Sequence, residues 1–156
     1  MSLELIPMTA AEFVDYLKQI IPDYAEESVK AGYWEPSEAL KKAEESTQRL
    51  LPDGIDTPNH YLYRVQDGEQ RLGTVWLQVT LGSSIKSAYI FDIVIDETFR
   101  GQGYGKQTMR LIEEKAREYG ATKIGLNVFM HSPVAVDLYQ KLGYKTTSMN
   151  MFKELE

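Results

Sequence analysis

Apolar positions recur along this chain with two different periods, and the place where the period changes separates a helical first third from a strand-rich remainder. Behind Thr9, a residue suited to capping, Phe13, Leu17 and Ile20 or Ile21 share one helical face from Ala10 to about Ile21. Pro22 lacks a backbone donor and is expected to interrupt that helix. A second helical piece, Tyr24 to Ala31, should end at Gly32; after Tyr33-Trp34-Glu35 a third runs from Pro36 to Leu51 and stops at Pro52. Turn formers fill Asp53 to Asn59. Beyond them the period becomes two. Tyr61 to Val65 and Leu72 to Leu81 read as strands around the hairpin signal Asp67-Gly68, and Gly82-Ser83-Ser84 turns the chain into the β-branched and aromatic run Ala88 to Ile95.

Helical spacing then returns in Thr108, Ile112, Ala116 and Tyr119, with Arg110, Glu113, Glu114, Arg117 and Glu118 on the opposite face. A strand follows from Lys123 to Phe129. The next helix has Ser132 as its cap, Pro133 at its first position and Gly143 just past its end, and buries Ala135, Leu138, Tyr139 and Leu142. The tail Tyr144 to Leu155 reads as a last strand. This order predicts a mixed α/β fold.

The chain has 156 residues, enough for one filled core, so residues 1–156 are expected to form a single domain. Apolar residues are 43% and charged residues 26% of the total, ordinary globular usage, and no apolar run approaches the ~20 residues of a spanning helix. The N-terminal MSLELIPMTAAEF lacks the basic start and apolar stretch of a signal peptide, which makes the cytoplasm the expected location. No cysteine is present, which removes disulfides, thiolate ligands and a cysteine nucleophile, so any acyl transfer must be direct. The net charge of −6 disfavours nucleic acid and mildly favours cationic substrates, though an acidic surface also simply keeps proteins soluble. No spacing of His, Asp and Glu suggests a metal site.

The segment Arg100-Gly101-Gln102-Gly103-Tyr104-Gly105-Lys106 lies between the run ending at Ile95 and the helix after it. Glycine permits positive φ and close approach of a bulky anion, and the helix start adds unpaired N–H donors with the positive dipole end. A diphosphate fits such a turn. The dinucleotide fingerprint is excluded because Lys106 stands where its third glycine is needed, and the nucleoside-triphosphate loop because Gln107 follows Gly105-Lys106.

Read as RxxGxG (Arg100, Gly103, Gly105), the segment resembles the pyrophosphate loop of the GNAT superfamily of acetyl-CoA-dependent N-acetyltransferases. The later stretch also resembles that family's NxxAxxLYxxxGF, with Ala135, Leu138, Tyr139 and Gly143 in place, Tyr144 as the closing aromatic and Ser132 in place of the usual Asn. The motif resemblance covers about Ala88 to Tyr144. It implies a twisted, mostly antiparallel mixed sheet, splayed between the strands ending at Ile95 and Phe129, with helices on both faces. It also implies acetyl-CoA as cosubstrate, an amine acceptor and a possible homodimer. Gly101 to Lys106 would hold the pyrophosphate, Arg100 would close the turn, and Ile93, Val94 and Ile95 would offer backbone to pantetheine and the oxyanion. Ser132 would approach the CoA arm, and Tyr139 would protonate the departing sulfur.

An alkylammonium with a pKa near ~10.4 must lose a proton before it attacks, so a base is needed. The family's frequent Glu corresponds here to Asn127, which cannot accept a proton. Asp92, inside Ile90-Phe91-Asp92-Ile93, is the leading substitute, because a carboxylate on a central strand needs a partner or a task. Glu97 and His131 are further candidates. Tyr33, Trp34 and Glu35 form an aromatic and acidic group suited to a cationic substrate, which His60, Tyr61 and Tyr63 of the next strand would join unless they pack in the core. Asn127 also leaves open a non-catalytic acyl-CoA-binding or sensor domain.

Overall fold

The computed structural model describes every residue except Met1, Ser83, Met130 and Glu156. Ser83, the middle of the expected Gly82 to Ser84 turn, therefore lies outside the described residues, as do both ends of the expected 1–156 domain. The elements are β1 (Leu3–Pro7), α1 (Ala10–Lys30), α2 (Pro36–Leu50), β2 (His60–Asp67), β3 (Gln70–Thr80), β4 (Ser87–Ile95), α3 (Tyr104–Glu118), β5 (Lys123–Leu126) and α4 (Pro133–Lys141). Single 3₁₀ turns at Gly54–Asp56 and Glu97–Phe99 join some of them.

Side-chain alternation turns the five strands into a two-faced sheet of order β1-β2-β3-β4-β5, antiparallel except for the β4–β5 pair. On one face Val65, Val75, Leu77, Val79 and Ile90 pack against Met109, Ile112 and Ala116 of α3, with Tyr139 and Leu142 of α4 at the margin. Met109 and Ile112 are fully buried, and each such side chain contributes about 1.5–3 kcal/mol. On the other face Leu62 and Trp76 meet Phe13 and Tyr16 of α1. Ala25, Ala39 and Ala43 let α1 and α2 pack closely together. The α/β class and the open, mostly antiparallel mixed sheet with helices on both faces agree with the sequence reading.

Four details of that reading need correction. Helix α1 runs unbroken through Pro22: Pro22 and Lys18 both lie on the solvent side, so the Lys18 carbonyl that loses its partner is left to water. A capping box between Thr9 and Glu12 starts this helix (2.9 and 3.2 Å). Strand β1 was not expected, because Leu3 and Leu5 alone give too short an alternation. Strand β5 ends at Leu126 rather than Phe129. Among the described residues the tail Tyr144 to Leu155 pairs with no strand: Lys145-Thr146-Thr147-Ser148 offers no apolar face to bury, and Met151 and Phe152 stay exposed.

Two features of β4 prepare a site. Its pairing with β5 stops at Ile90, whereas its pairing with β3 continues to Ile95, so Phe91 to Ile95 have one open edge. A register shift pairs Trp76 with Asp92 and Leu77 with Ile90, leaving Phe91 as the extra residue of a bulge. Phe91 and Asp92 consequently both turn toward α1, and Ile93 and Ile95 return to the α3 face.

Candidate active site

The open edge of β4 borders a cavity of about 660 Å³. Its walls come from α1, from the ends of β3 and β4, from Leu126 to Phe129 after β5, and from Ser132, Ala135 and Tyr139 at the start of α4.

Asp92 and Tyr139 both line this cavity. The Tyr16 hydroxyl of α1 donates to Asp92 Oδ2 at 2.7 Å. Burial raises the Asp92 carboxyl from 3.8 to about 6, and the nearby Asp23 charge pushes in the same direction; the Tyr16 hydroxyl and the Ile93 backbone N–H oppose them. Burial also raises the Tyr139 hydroxyl above its usual 10, with the Asp92 charge adding to the effect. One cavity thus contains a carboxylate that titrates near neutrality and a phenol that keeps its proton, which is the division expected of a base and an acid.

The glycine turn leaves β4 at the Val94–Asp96 end of the cavity and does not itself line it. Arg100 Nε donates to Ile95 O at 2.8 Å and closes the turn. Gly101 and Gly103 have φ of +76° and +84°, and a Cβ at either would project into open space. Among the described residues, no backbone N–H from Gly101 to Lys106 donates to a carbonyl outside the helix; the ladder begins with Gln107 N–H to Gly103 O at 3.2 Å. These free donors at the first turn of a 15-residue helix, with open space above the glycines, fit a diphosphate. Tyr104 contributes only its backbone there, because its ring is buried against Phe99. Gln102 Nε2 returns to Thr98 O (3.3 Å) and Lys106 is exposed.

The other candidates are dispersed. Ser132 occupies the position before α4, but its side chain makes no capping bond, contrary to expectation; with φ −114° and ψ 72° it lines the cavity instead. None of Tyr33, Trp34 and Glu35 lines the cavity. Trp34 stacks edge-on against Tyr24 at 5.2 Å, Glu35 joins a capping box with Glu38, and Tyr33 contacts Phe129 of the cavity wall at 6.3 Å. His60 accepts from Trp76 Nε1 (2.9 Å), while Tyr61 and Tyr63 stack with each other in the α3-side core. Glu97 sits in an exposed turn, and Asn127 lines the cavity. His131 stacks on Phe129 and contacts Glu27 of α1 through Nε2.

Sequence reasoning missed the contribution of α1. Glu12, Tyr16, Gln19, Asp23 and Glu27 are three or four residues apart and all line the cavity, as does Asp15. That spacing was the available signal, and the break expected at Pro22 hid it. Glu12 is occupied by Arg64 and Arg71 (2.7 and 2.8 Å), which anchors α1 to the sheet.

The Acetyltransferase (GNAT) family profile matches residues 21–144. The chain is 35% identical to the uncharacterized N-acetyltransferase YdgE of Bacillus subtilis, over 99% of both chains. It is 36% identical to the uncharacterized N-acetyltransferase YycN of the same organism, over 99% of this chain and all of that one. The crystal structure of YycN superposes with a TM-score of 0.96 over 99% of both chains. AAC(6')-Iy, in complex with the bisubstrate analog CoA-S-monomethyl-acetylneamine, has the same fold at 11% identity, with a TM-score of 0.63 over 100% of this chain and 99% of that one.

Proposed function

The chain belongs to the acetyltransferase (GNAT) family, and on that premise we propose that it is a single-domain N-acetyltransferase, moving acetyl from acetyl-CoA to a primary amine by direct attack in a ternary complex. The observation that carries this reading is the presence of Asp92 and Tyr139, a carboxyl raised to about 6 and a phenol raised above its usual 10, on the wall of one cavity at the open edge of β4.

Asp92 takes the proton of the bound alkylammonium. An acceptor near 6 lies about two pH units closer to an amine than an ordinary aspartate, which makes the transfer less uphill. The freed nitrogen attacks the thioester carbonyl; a C–N bond forms, the C–S bond breaks as Tyr139 gives its proton to the leaving thiolate, the second proton shed by the acylated nitrogen restores the Tyr139 hydroxyl, and Asp92 releases its proton to solvent. Backbone groups on the open edge from Ile93 to Ile95, apart from the Ile93 N–H that Asp92 engages, serve the oxyanion and the pantetheine arm. The Gly101 to Lys106 turn holds the diphosphate, with Arg100 bracing it and Ser132 beside the arm. The acidic side chains of α1 favour a cationic acceptor, and Tyr33, Trp34 and Glu35 at the end of the α1–α2 connection belong to its outer approach. The fold neighbour AAC(6')-Iy, which holds a CoA-based bisubstrate analog, supports the cosubstrate.

The test incubates the protein with acetyl-CoA and a panel of diamines, amino sugars, lysine peptides and free N-termini, and measures amine-dependent release of free CoA thiol. The expected result is turnover with at least one amine. Tight acetyl-CoA binding without acetylation of any amine would favour the acyl-CoA-binding module instead.

A further inference from the structure

Asp92 lines the cavity, and the side chain it touches there comes from another element. Tyr16 is buried among Phe13, Leu62 and Trp76, far from Asp92 in sequence, yet it lines the same cavity as Asp92. Its hydroxyl is 2.7 Å from Asp92 Oδ2, in a bond that spans 76 positions of sequence. The bulge at Phe91 is what makes this contact possible, since regular alternation would point Asp92 to the opposite face of the sheet. A buried tyrosine hydroxyl usually finds a partner; here the partner is the one carboxylate that the bulge redirects.

Resting on the function proposed above, we infer that Tyr16 is a positioning residue, its hydroxyl holding the Asp92 carboxylate at the cavity wall in the proton-accepting form required by a primary alkylammonium. Groups from each packed element bear on Asp92. From α1, Tyr16 stabilises the ionised form and Asp23 opposes it; from β4, the Ile93 N–H stabilises it; and from α4, Tyr139 shares its surroundings. Tyr16 itself stays protonated, because burial and the Asp92 charge raise its hydroxyl well above 10. Asp23 also gives an ammonium a second carboxylate to approach, so cation binding relieves the repulsion between Asp23 and Asp92.

The test reads Asp92 directly. The carboxyl carbon of Asp92 is followed by ¹³C NMR against pH in the full-length protein, assigned by its loss in Asp92→Asn. Removing a stabilising donor should raise the midpoint in Tyr16→Phe by roughly one pH unit, and removing a like charge should lower it in Asp23→Asn. With any amine found active, Tyr16→Phe should lower kcat at pH 7 roughly tenfold, leave the KM for acetyl-CoA unchanged, and move the acid limb of the rate profile by the same amount as the NMR midpoint. If Tyr16→Phe does not fold, Tyr16→Met removes the donor with a more adaptable side chain and is read in the same way. An Asp92 midpoint unmoved by loss of the hydroxyl overturns the inference while leaving the proposed activity intact. Full activity in Asp92→Asn removes the base, and with it any positioning role for Tyr16.

Discussion

At the scale of single residues, the proposed mechanism has Asp92 accept a proton and Tyr139 give one, because of where the chain puts them. Raising Asp92 from 3.8 to about 6 is a stability statement as well as a catalytic one. Its folded value lies above its unfolded value, so the native state is favoured below about 4 and loses that advantage as pH rises through 6. At about 1.4 kcal/mol per pH unit the ionised group costs the fold about 3 kcal/mol at neutral pH. Asp92→Asn keeps an acceptor for the Tyr16 hydroxyl and removes the charge. The variant should therefore unfold at higher denaturant than wild type at pH 8 and match it at pH 4, while losing at least about 100-fold in kcat. Equal stabilities at pH 8 would mean that Asp92 is not held ionised against its surroundings. Tyr139→Phe should lower kcat about 10- to 100-fold with little change in acetyl-CoA affinity, which stopped-flow turnover and titration calorimetry separate. An unchanged kcat would exclude Tyr139 as the acid.

At the scale of elements, the opening of the sheet depends on how β3 and β4 approach each other. Gly73 faces Ile95 in the ladder, and a Cβ there would lie 1.9 Å from Val94 O, a backbone atom that cannot swing aside. Gly73→Ala should therefore push the end of β4 outward, cost about 1–3 kcal/mol in chemical denaturation and weaken acetyl-CoA binding together with stability. Gly103→Ala meets no neighbour but must adopt φ +84°, so its cost of about 1 kcal/mol should come with a larger loss of CoA affinity than of stability. Much of this frame was legible beforehand: the change to period two marked β2 and β3, the β-branched and aromatic run marked β4, and the glycine turn marked the start of α3. Features decided by tertiary context were not. Whether Pro22 breaks α1 depends on which side of the helix faces water, and whether Tyr144 to Leu155 becomes a strand depends on a partner that β5 does not provide within this chain. The bulge at Phe91 is invisible in a run of uniformly strand-forming residues. Asp92 could thus be singled out for its cost, but Tyr16 could not be found as its partner.

At the scale of the molecule, two regions of unlike charge preference meet at β4. The cavity side carries Asp15, Asp23 and Glu27 on α1 and suits a cation, whereas the first turn of α3 presents free N–H groups and suits an anion. An amine and an acyl-CoA would approach from these two sides and meet where the sheet opens. With Asp92 as base, kcat/KM should fall about tenfold per pH unit below about 6 and level off above it until Tyr139 or the amine titrates. Raising ionic strength should increase KM for a dicationic amine more than for a monocation. The central claim is that the turn from Gly101 to Lys106 grips the diphosphate of coenzyme A, and titration calorimetry of the pure protein with CoA, acetyl-CoA and pantetheine tests it most directly. The account predicts saturable binding of both CoA species and binding at least about 100-fold weaker for pantetheine, which lacks the diphosphate. Absence of heat and saturation with CoA and acetyl-CoA, or equal affinity for pantetheine, would contradict it.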